Sequence, residues 1–384
     1  MIVTGDSSLW QNSGDLYVGN RGSGKLKIEN GGRATAPSTT LARNTGITSQ
    51  GTLDLNGTSG SRGALETGYV REGTGSLGGT ITFNGGILRA TGDQPDFIQN
   101  FEAGNVQLLS GGAVIDTQSH DVGVSTALQG AGGLAKQGAG TLTLSGASTY
   151  GGNTVVETGT LALAATGSIV ASPEIVVHAG ATLDVTAHAG PAGWTLAAPQ
   201  TLSGGGTISG LVTIEGTLSP GLSSPGLGVG QLTGDNDAFW KGGGVYDWEI
   251  EALAGDPGAH WDHFLLTGTL NLDANPFVIQ LTSLAALSEA DALGKSWVIA
   301  TAEGGITGPL DGLELVWDSS FFTDYTGLGS FNLSPSSSGT DLVLSYEATI
   351  SSIPEPGSAT ALATLLISSL ALHRRRKTRR QSGQ

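Results

Sequence analysis

Residues 130–163 read GAGGLAKQGAGTLTLSGASTYGGNTVVETGTLAL, and this stretch decides how the rest of the chain is interpreted. Short apolar alternations follow glycine-rich turns, a period of two residues that is typical of β-strands. In each GTLxL phrase the two leucines share one face of a strand, and the residue between them points to the other face. We therefore expect the leucines to lie in a core and the x residue to face solvent.

The same phrase recurs along the chain, at intervals of roughly 19 to 34 residues, a spacing typical of repeat architectures. The copies are GTLDL at 51–55, TITF at 80–83, GGAVI at 111–115, GTLTL at 140–144, GTLAL at 159–163, GATLDV at 180–185 and GTI at 206–208. One such coil cannot bury its own apolar face, whereas stacked coils share a continuous core. The pattern predicts an all-β solenoid with parallel sheets over residues 1–234.

Composition supports this fold class and excludes several others. The 384 residues include 63 glycines, roughly one in six against about 7% in average proteins, which disfavours a helical fold. There is no Gly-X-Y period, so the chain is not collagen. Abundant Val, Ile, Leu and Thr argue against a disordered linker. The absence of cysteine excludes disulfides, thiol catalysis and cysteine zinc sites.

The charge distribution disfavours nucleic acid as a partner. The formal net charge is −16, with 33 acidic and 17 basic residues. Six of the basic residues lie at the C-terminal end, so the rest of the chain is strongly acidic and repels phosphate backbones.

Residues 130–163 resemble the autotransporter-associated β-strand repeat. Lys136, Tyr150 and Gly151 fall where that pattern has Lys, Tyr and Gly, and Ser148 stands where it often has Asn. The resemblance implies a right-handed parallel β-helix of passenger type. GTLSPG at 216–221 and SPG at 224–226 are similar to the end of such passengers, and their Pro-Gly turns place a boundary near Gly234.

Tryptophan enrichment and thinning glycine distinguish residues 235–348. We predict a mostly antiparallel, aromatic β-rich cap here, because an open solenoid end would expose unpaired edges. Strands are expected at 246–250, 297–301 and 341–346, and a helix at 281–293.

The last segment, 349–384, has the order of a membrane-directed signal. Pro354, Glu355 and Pro356 precede a charge-free apolar run that predicts a helix over 356–373. The part from Pro356 to Leu372 would be about 25 Å long, at the short end for a bilayer. A basic cluster follows, which we expect to stay cytoplasmic. Its members are Arg374, Arg375, Arg376, Lys377, Arg379 and Arg380. An alternative is a basic tail on an amphipathic surface helix.

This order resembles the PEP-CTERM sorting signal of bacteria that make exopolysaccharide. The resemblance implies recognition by an exosortase, an inner-membrane intermediate held by the C-terminal helix, and processing near Pro354–Pro356. The protein would then reach the cell surface or extracellular matrix. No signal peptide is visible at the N-terminus. Either export is not used or the true start lies upstream of Met1, and we expect the second.

Other motif matches carry weaker signals. Residues 19–25 imitate a P-loop and 73–78 fit G-x-G-x-x-G, but a strand pattern follows each where a helix should begin. His260, Asp262 and His263 could seed a metal site, and residues 235–237 a calcium site, but structural roles are the favoured interpretation of both. We expect neither a metal nor a cofactor.

Catalysis on a β-helix requires carboxylates clustered in one groove, often with a basic partner. Asp54, Asp116 and Asp184 recur in similar strand contexts, but widely separated and with no basic partner repeating beside them in sequence. The sequence therefore favours a non-enzymatic exported protein with a structural or adhesive role, associated with exopolysaccharide. The alternative is a polysaccharide lyase or hydrolase on the same scaffold.

Overall fold

Stacked parallel strands form the body of the molecule. The computed structural model describes residues 1–44, 48–75, 77–188, 190–221 and 228–349. Within them, strands form four sheets of 13, 14, six and five strands, here called sheets 1 to 4. Neighbours in a sheet come from successive coils of the chain, and almost all pair in parallel. This confirms the all-β solenoid, while its right-handedness stays a prediction.

Sheets 1 and 2 are the long faces of the solenoid. Sheet 1 contains Leu9–Gln11, Arg33–Ala36, Ala64–Thr67, Ile87–Ala90, Ala113–Asp116, Leu134–Gln137, Thr154–Val156, Glu174–Val177, Thr201–Gly204, Thr217–Pro220, Val245–Ile250, Phe277–Ser283 and Leu313–Val316. Sheet 2 contains Leu16–Val18, Thr39–Leu41, Val70–Glu72, Gln94–Gln99, Val122–Val124, Thr141–Leu144, Thr160–Leu163, Thr182–Asp184, Thr207–Ser209, Gln231–Gly234, His263–Leu266, Lys295–Ala302, Asp341–Ala348 and Gly329–Pro335.

A third face is built at each end. Sheet 3 contains Ile2–Thr4, Ser23–Glu29, Gln50–Thr58, Ser61–Arg62, Gly79–Asn84 and Val106–Leu108. Sheet 4 contains Trp194–Leu196, Val212–Ile214, Ala238–Trp240, Leu270–Leu272 and Ile306–Thr307. Between them, the fully described coils of 134–185 contribute strands to sheets 1 and 2 alone, so the solenoid has two strands per coil in this part.

Leucines in register form the core, as the sequence predicts. Leu142, Leu161, Leu183 and Ile208 pair in successive strands of sheet 2, and each is fully buried. The residues between the leucines are half exposed on the outer face; they are Thr143, Ala162 and Asp184. Alternation therefore assigned the two faces correctly.

Parallel pairing continues past residue 234, so the prediction of a mostly antiparallel region from 235 is wrong. Gln231–Gly234 pairs in parallel with the coil before it and with His263–Leu266 after it. Parallel coils extend to Leu313–Val316. The tryptophans enlarge the same core, in which Trp240 and Trp248 are fully buried. The tryptophan content of residues 235–348 thus indicates the width of the core and not the direction in which the strands pair. The division of the body at residue 234 stays a prediction.

Antiparallel strands close one sheet at the C-terminal end. Asp341–Ala348 pairs antiparallel with Lys295–Ala302 and with Gly329–Pro335. The strands predicted at 246–250, 297–301 and 341–346 are confirmed within slightly longer strands.

The helix predicted at 281–293 is wrong. Leu281 ends the inward alternation of Phe277–Ser283 and pairs with Trp248, so tertiary packing overrides helix propensity. Within the described residues, Glu289–Ala292 is the only α-helix, and short 3₁₀ turns lie at Leu310–Gly312 and Ser319–Phe321.

Glu289 connects the loop at residues 326–328 to the C-terminal strand Asp341–Ala348. Its carboxylate accepts hydrogen bonds from the Tyr346 hydroxyl at 2.5 Å, the Leu328 N–H at 2.7 Å and the Thr326 N–H at 2.5 Å. Burial acts to raise the pKa of Glu289, but these donors outweigh it and lower the pKa to about 2. The carboxylate is therefore charged at neutral pH and holds residues 326–328 against the last strand.

Candidate functional site

An apolar column runs along the outer face of sheet 1. One outward residue from each of six successive strands lies in register with the next. The column is Ala64, Ile87, Val114, Ala135, Val155 and Val176. Arg33 precedes it and Ser203 follows it in register. Ile87, Ala135, Val155 and Val176 are half-exposed, whereas Ala64 and Val114 are buried. Contiguous exposed apolar surface of this kind marks an interaction site.

A groove lies over the middle of this column, and we call it the sheet 1 groove. It has a volume of about 200 Å³, and Val114, Ala135 and Val155 contribute to its lining. Val114 is 2% exposed although it is not part of the contiguous core, so it lies at the bottom. A glycine corner forms another part of the lining, because a Cβ at Gly133 would approach the Asn153 carbonyl oxygen to 2.3 Å.

Charged side chains form the neighbouring outer column of sheet 1. The Arg89 guanidinium lies between two carboxylates, 2.7 Å from an Oε1 of Glu66 and 2.7 Å from an Oδ2 of Asp116. One coil further, the Gln137 amide donates to Glu157 at 2.8 Å. Glu66, Arg89, Asp116, Gln137 and Glu157 therefore form a column of alternating hydrogen-bond donors and acceptors beside the apolar column, and we call this column the rail.

The expectation that Asp54, Asp116 and Asp184 have no basic partners is wrong for two of the three. Asp116 pairs with Arg89, and Asp54 pairs with Lys25 at 2.6 Å. Each partner lies one coil away, and the irregular coil lengths hide it in the sequence. Asp184 instead accepts hydrogen bonds from Thr186. The three aspartates are not brought together, which agrees with their separation in sequence.

Sheet 2 carries a cleft on its outer face, lined by both apolar and polar residues. The cleft has a volume of about 450 Å³, and its lining includes Asp93, Asp121 and Thr141. The Thr141 N–H donates to Asp121 at 2.9 Å, and this hydrogen bond lowers the pKa of Asp121. From Thr141 a ladder of in-register threonines leads away across five strands. It consists of Thr141, Thr160, Thr182, Thr207 and Thr233.

The candidate metal ligands of the sequence point to different partners. Asp262 is fully buried and accepts from the N–H groups of Gly230 at 2.8 Å and Glu249 at 3.0 Å. The His260 Nδ1 accepts from the Asp256 N–H. His263 lies within 3.1 Å of Gln231 on one side and of Thr301 on the other. In the part of the chain that the structure describes, no three such residues group as metal ligands.

The other weak motifs are also structural where they are described. Asp235 accepts from Ser209 and from the Gly210 N–H, and Asp237 accepts from the Thr269 N–H. The P-loop imitation leads into the strand Ser23–Glu29, and the second glycine motif leads into Gly79–Asn84. Neither presents the helix N-terminus that phosphate binding requires.

His263 makes the body sensitive to mild acid. Burial lowers the pKa of His263 from 6.5 to about 4. Between pH 6.5 and pH 4, His263 is therefore protonated in the unfolded chain and neutral in the folded chain. The free energy of unfolding falls as the pH drops through this range. The loss approaches about 3 kcal/mol for one group. Thermal unfolding of the wild type and of His263→Gln between pH 7 and pH 4 should show a smaller loss in the variant. His178→Gln, at a half-exposed position, is the control and should follow the wild type.

Two residues of the repeat pattern, Tyr150 and Lys136, form hydrogen bonds that connect adjacent coils. The Tyr150 hydroxyl is 2.7 Å from the Thr154 hydroxyl, which donates to the Ser172 hydroxyl one coil on at 2.9 Å. Lys136 is buried and donates to three backbone carbonyls. The repeat signature thus consists of residues that connect coils.

The sorting motif Pro354, Glu355, Pro356 and the basic cluster 374–380 lie outside the described residues, as does the predicted membrane helix 356–373. In residues 1–44, 48–75, 77–188, 190–221 and 228–349, no helix is long and apolar enough to cross a membrane.

Comparison with known families locates one match. A family model described as passenger-associated-transport-repeat matches residues 134–163, and the chain has no match among curated proteins. The match lies in the two-stranded coils and includes Lys136 and Tyr150. It supports a passenger-like, exported or surface protein whose body is a parallel β-solenoid.

Sequence reasoning missed the apolar column and the Arg89 rail. Both depend on which residues of successive coils face each other. Laying the phrases from 140 to 208 over one another gives that register on sheet 2. The earlier copies fall on other sheets, GTLDL at 51–55 on sheet 3 and GGAVI at 111–115 on sheet 1, so the phrase alone does not give the register of sheet 1.

Proposed function

We propose that the chain is an exported, passenger-like protein that acts without catalysis as a structural or adhesive component of the cell surface or extracellular matrix, in association with exopolysaccharide. The observation that carries the proposal is the transport-associated repeat at 134–163, embedded in an uninterrupted stack of parallel coils. Such a stack presents long, regular outer faces, which suits a display role.

The sheet 2 cleft offers little support for the alternative of a glycan-cleaving enzyme. A glycoside hydrolase needs one carboxyl group kept protonated as the general acid, which requires a raised pKa. The Thr141 N–H instead lowers the pKa of Asp121. On sheet 1, the Glu66 and Asp116 carboxylates are both ion-paired with Arg89, which favours their charged forms and disfavours a protonated general acid. Incubation with neutral and acidic glycans should release no new reducing or unsaturated ends, and such products would overturn the non-catalytic assignment.

Sorting by an exosortase is the second part of the proposal. It rests on the order of Pro354–Pro356, the apolar run and the basic cluster. The C-terminal helix would hold the chain in the inner membrane with the basic cluster in the cytoplasm. Cleavage near the motif would then release the body outward.

The test expresses the full chain behind a signal peptide in cells that contain an exosortase. We expect the body outside the inner membrane, with its basic cluster removed. Glu355→Ala should accumulate at the membrane uncleaved, while Glu347→Ala, outside the motif, should be processed normally. A cytoplasmic protein with an intact C-terminus would refute the sorting proposal.

A further inference from the structure

We propose that the sheet 1 groove binds an extended, uncharged polysaccharide chain lying along the solenoid axis, over the column from Ala64 to Val176. This inference deepens the proposed function, because it names the class of glycan and the surface that takes it. It rests on the column, the groove and the rail beside them.

The two outer columns match the two kinds of surface that a sugar ring presents. Half-exposed Ile87, Ala135 and Val155 offer an apolar strip for the C–H faces of the rings. The Glu66, Arg89 and Asp116 side chains, one column over, offer acceptors and donors for hydroxyl groups at the ring edge. The ligand therefore needs an apolar face and a polar edge along its whole length.

A peptide fits this surface less well than a glycan. A peptide strand binds a sheet through backbone hydrogen bonds at an edge. The strands under the groove are interior strands of sheet 1, paired on both sides, so their N–H and C=O groups are already used. A peptide lying on the face would leave its own backbone groups against Val114 and Val155 without partners, which is costly.

The length and charge of the surface narrow the ligand further. Strands repeat every ~4.8 Å, so the six positions of the column span ~24 Å and favour a polymer with a short, regular repeat. The Glu66 and Asp116 carboxylates bind the Arg89 guanidinium, and the Glu157 carboxylate accepts a hydrogen bond from the Gln137 amide. Arg33 also pairs with Glu66, and Arg62 contributes to the lining of the groove, so the charges at this surface nearly balance and offer no cationic excess to an anionic glycan. The body as a whole is acidic and repels anionic glycans.

Calorimetric titration of the full-length chain, kept in a detergent without a sugar headgroup, tests the proposal. The neutral probes are cellohexaose, xylohexaose and mannohexaose, and the acidic probe is hexagalacturonate. We expect at least one neutral hexasaccharide to bind, its disaccharide to bind at least tenfold more weakly, and the acidic probe not to bind. Absence of binding by all neutral probes, or binding of the acidic probe alone, would overturn the proposal.

A matched pair of substitutions locates the site. Ala135 and Ala162 are both half-exposed, mid-strand alanines of the same repeat, on sheet 1 and sheet 2 respectively. Ala135→Lys should weaken binding about tenfold or more, and Ala162→Lys should leave it unchanged. If Ala135→Lys does not fold, Val155→Ser serves in its place. Equal loss in both variants, or no loss in either, would place binding elsewhere and refute the inference.

Sedimentation of the same samples tests whether the groove is occupied by a second copy of the chain and not by a glycan. Self-association that Ala135→Lys abolishes would assign the groove to that copy and overturn the glycan. Export is measured in cells and glycan binding on purified protein, so either proposal can fail while the other stands.

Discussion

Lys136→Ala should lower the free energy of unfolding by about 3–5 kcal/mol, because three backbone carbonyls lose a charged donor and the missing side chain leaves a cavity. The Lys136 ammonium donates to the carbonyl oxygens of Gln137 at 3.1 Å, Gly138 at 2.7 Å and Thr158 at 3.0 Å. Thr158 belongs to the next coil, so one side chain ties two turns of the chain together. The substitution leaves these carbonyls without their charged donor and opens a cavity.

The charge on Lys136 survives its burial. Desolvation lowers the pKa of Lys136 to about 8, with Asp116 and Asp121 opposing this shift, so the ammonium still predominates at pH 7. Denaturant unfolding at pH 7 measures the effect. Lys25→Ala, which removes an exposed lysine paired with Asp54, is the control and should change stability by less than about 1 kcal/mol. Equal effects of the two substitutions would show that Lys136 does not hold the coils together.

Trp248→Ala should cost about 3–5 kcal/mol, the usual range for removing a buried tryptophan. Trp248 is fully buried, its ring centroid lies 6.3 Å from that of Trp297, and its indole N–H donates to the Asp262 carbonyl oxygen at 2.8 Å. The substitution therefore empties the wide part of the core and releases the segment that carries the buried Asp262 carboxyl group.

Thermal unfolding followed by tryptophan fluorescence and by circular dichroism checks this second prediction. Trp10→Ala, at a partly buried position near the other end of the solenoid, should have a clearly smaller effect. If the two variants unfold at the same temperature, the claim that the buried tryptophans after residue 235 stabilise the C-terminal core would be wrong.

The sequence predicts the face assignment well because alternation is a local property. Leu142 and Leu161 are buried and Thr143 and Ala162 are outward, as the GTLxL phrase requires. Strand direction after residue 235 was predicted wrongly because aromatic content describes the size of a core and carries no information on pairing. Parallel pairing there is a property of the whole stack, which is already set by the earlier coils.

The candidate site could be predicted only in part. Glycine-rich turns and the repeat at 130–163 indicate a displayed solenoid, but no local pattern places Arg89 between Glu66 and Asp116. Those contacts join residues 23 and 27 positions apart in the sequence. The apolar column has the same origin, since Ile87, Val114 and Ala135 become neighbours only when irregular coils are stacked in register.

The intact mass of the protein recovered from the surface fraction of its native cell tests the central claim most directly. The account predicts an extracellular species that contains the repeat and the solenoid body and ends near Pro354–Pro356, without Arg374 to Arg380. A full-length chain found only in the cytoplasm, with its C-terminal basic cluster intact, would contradict it.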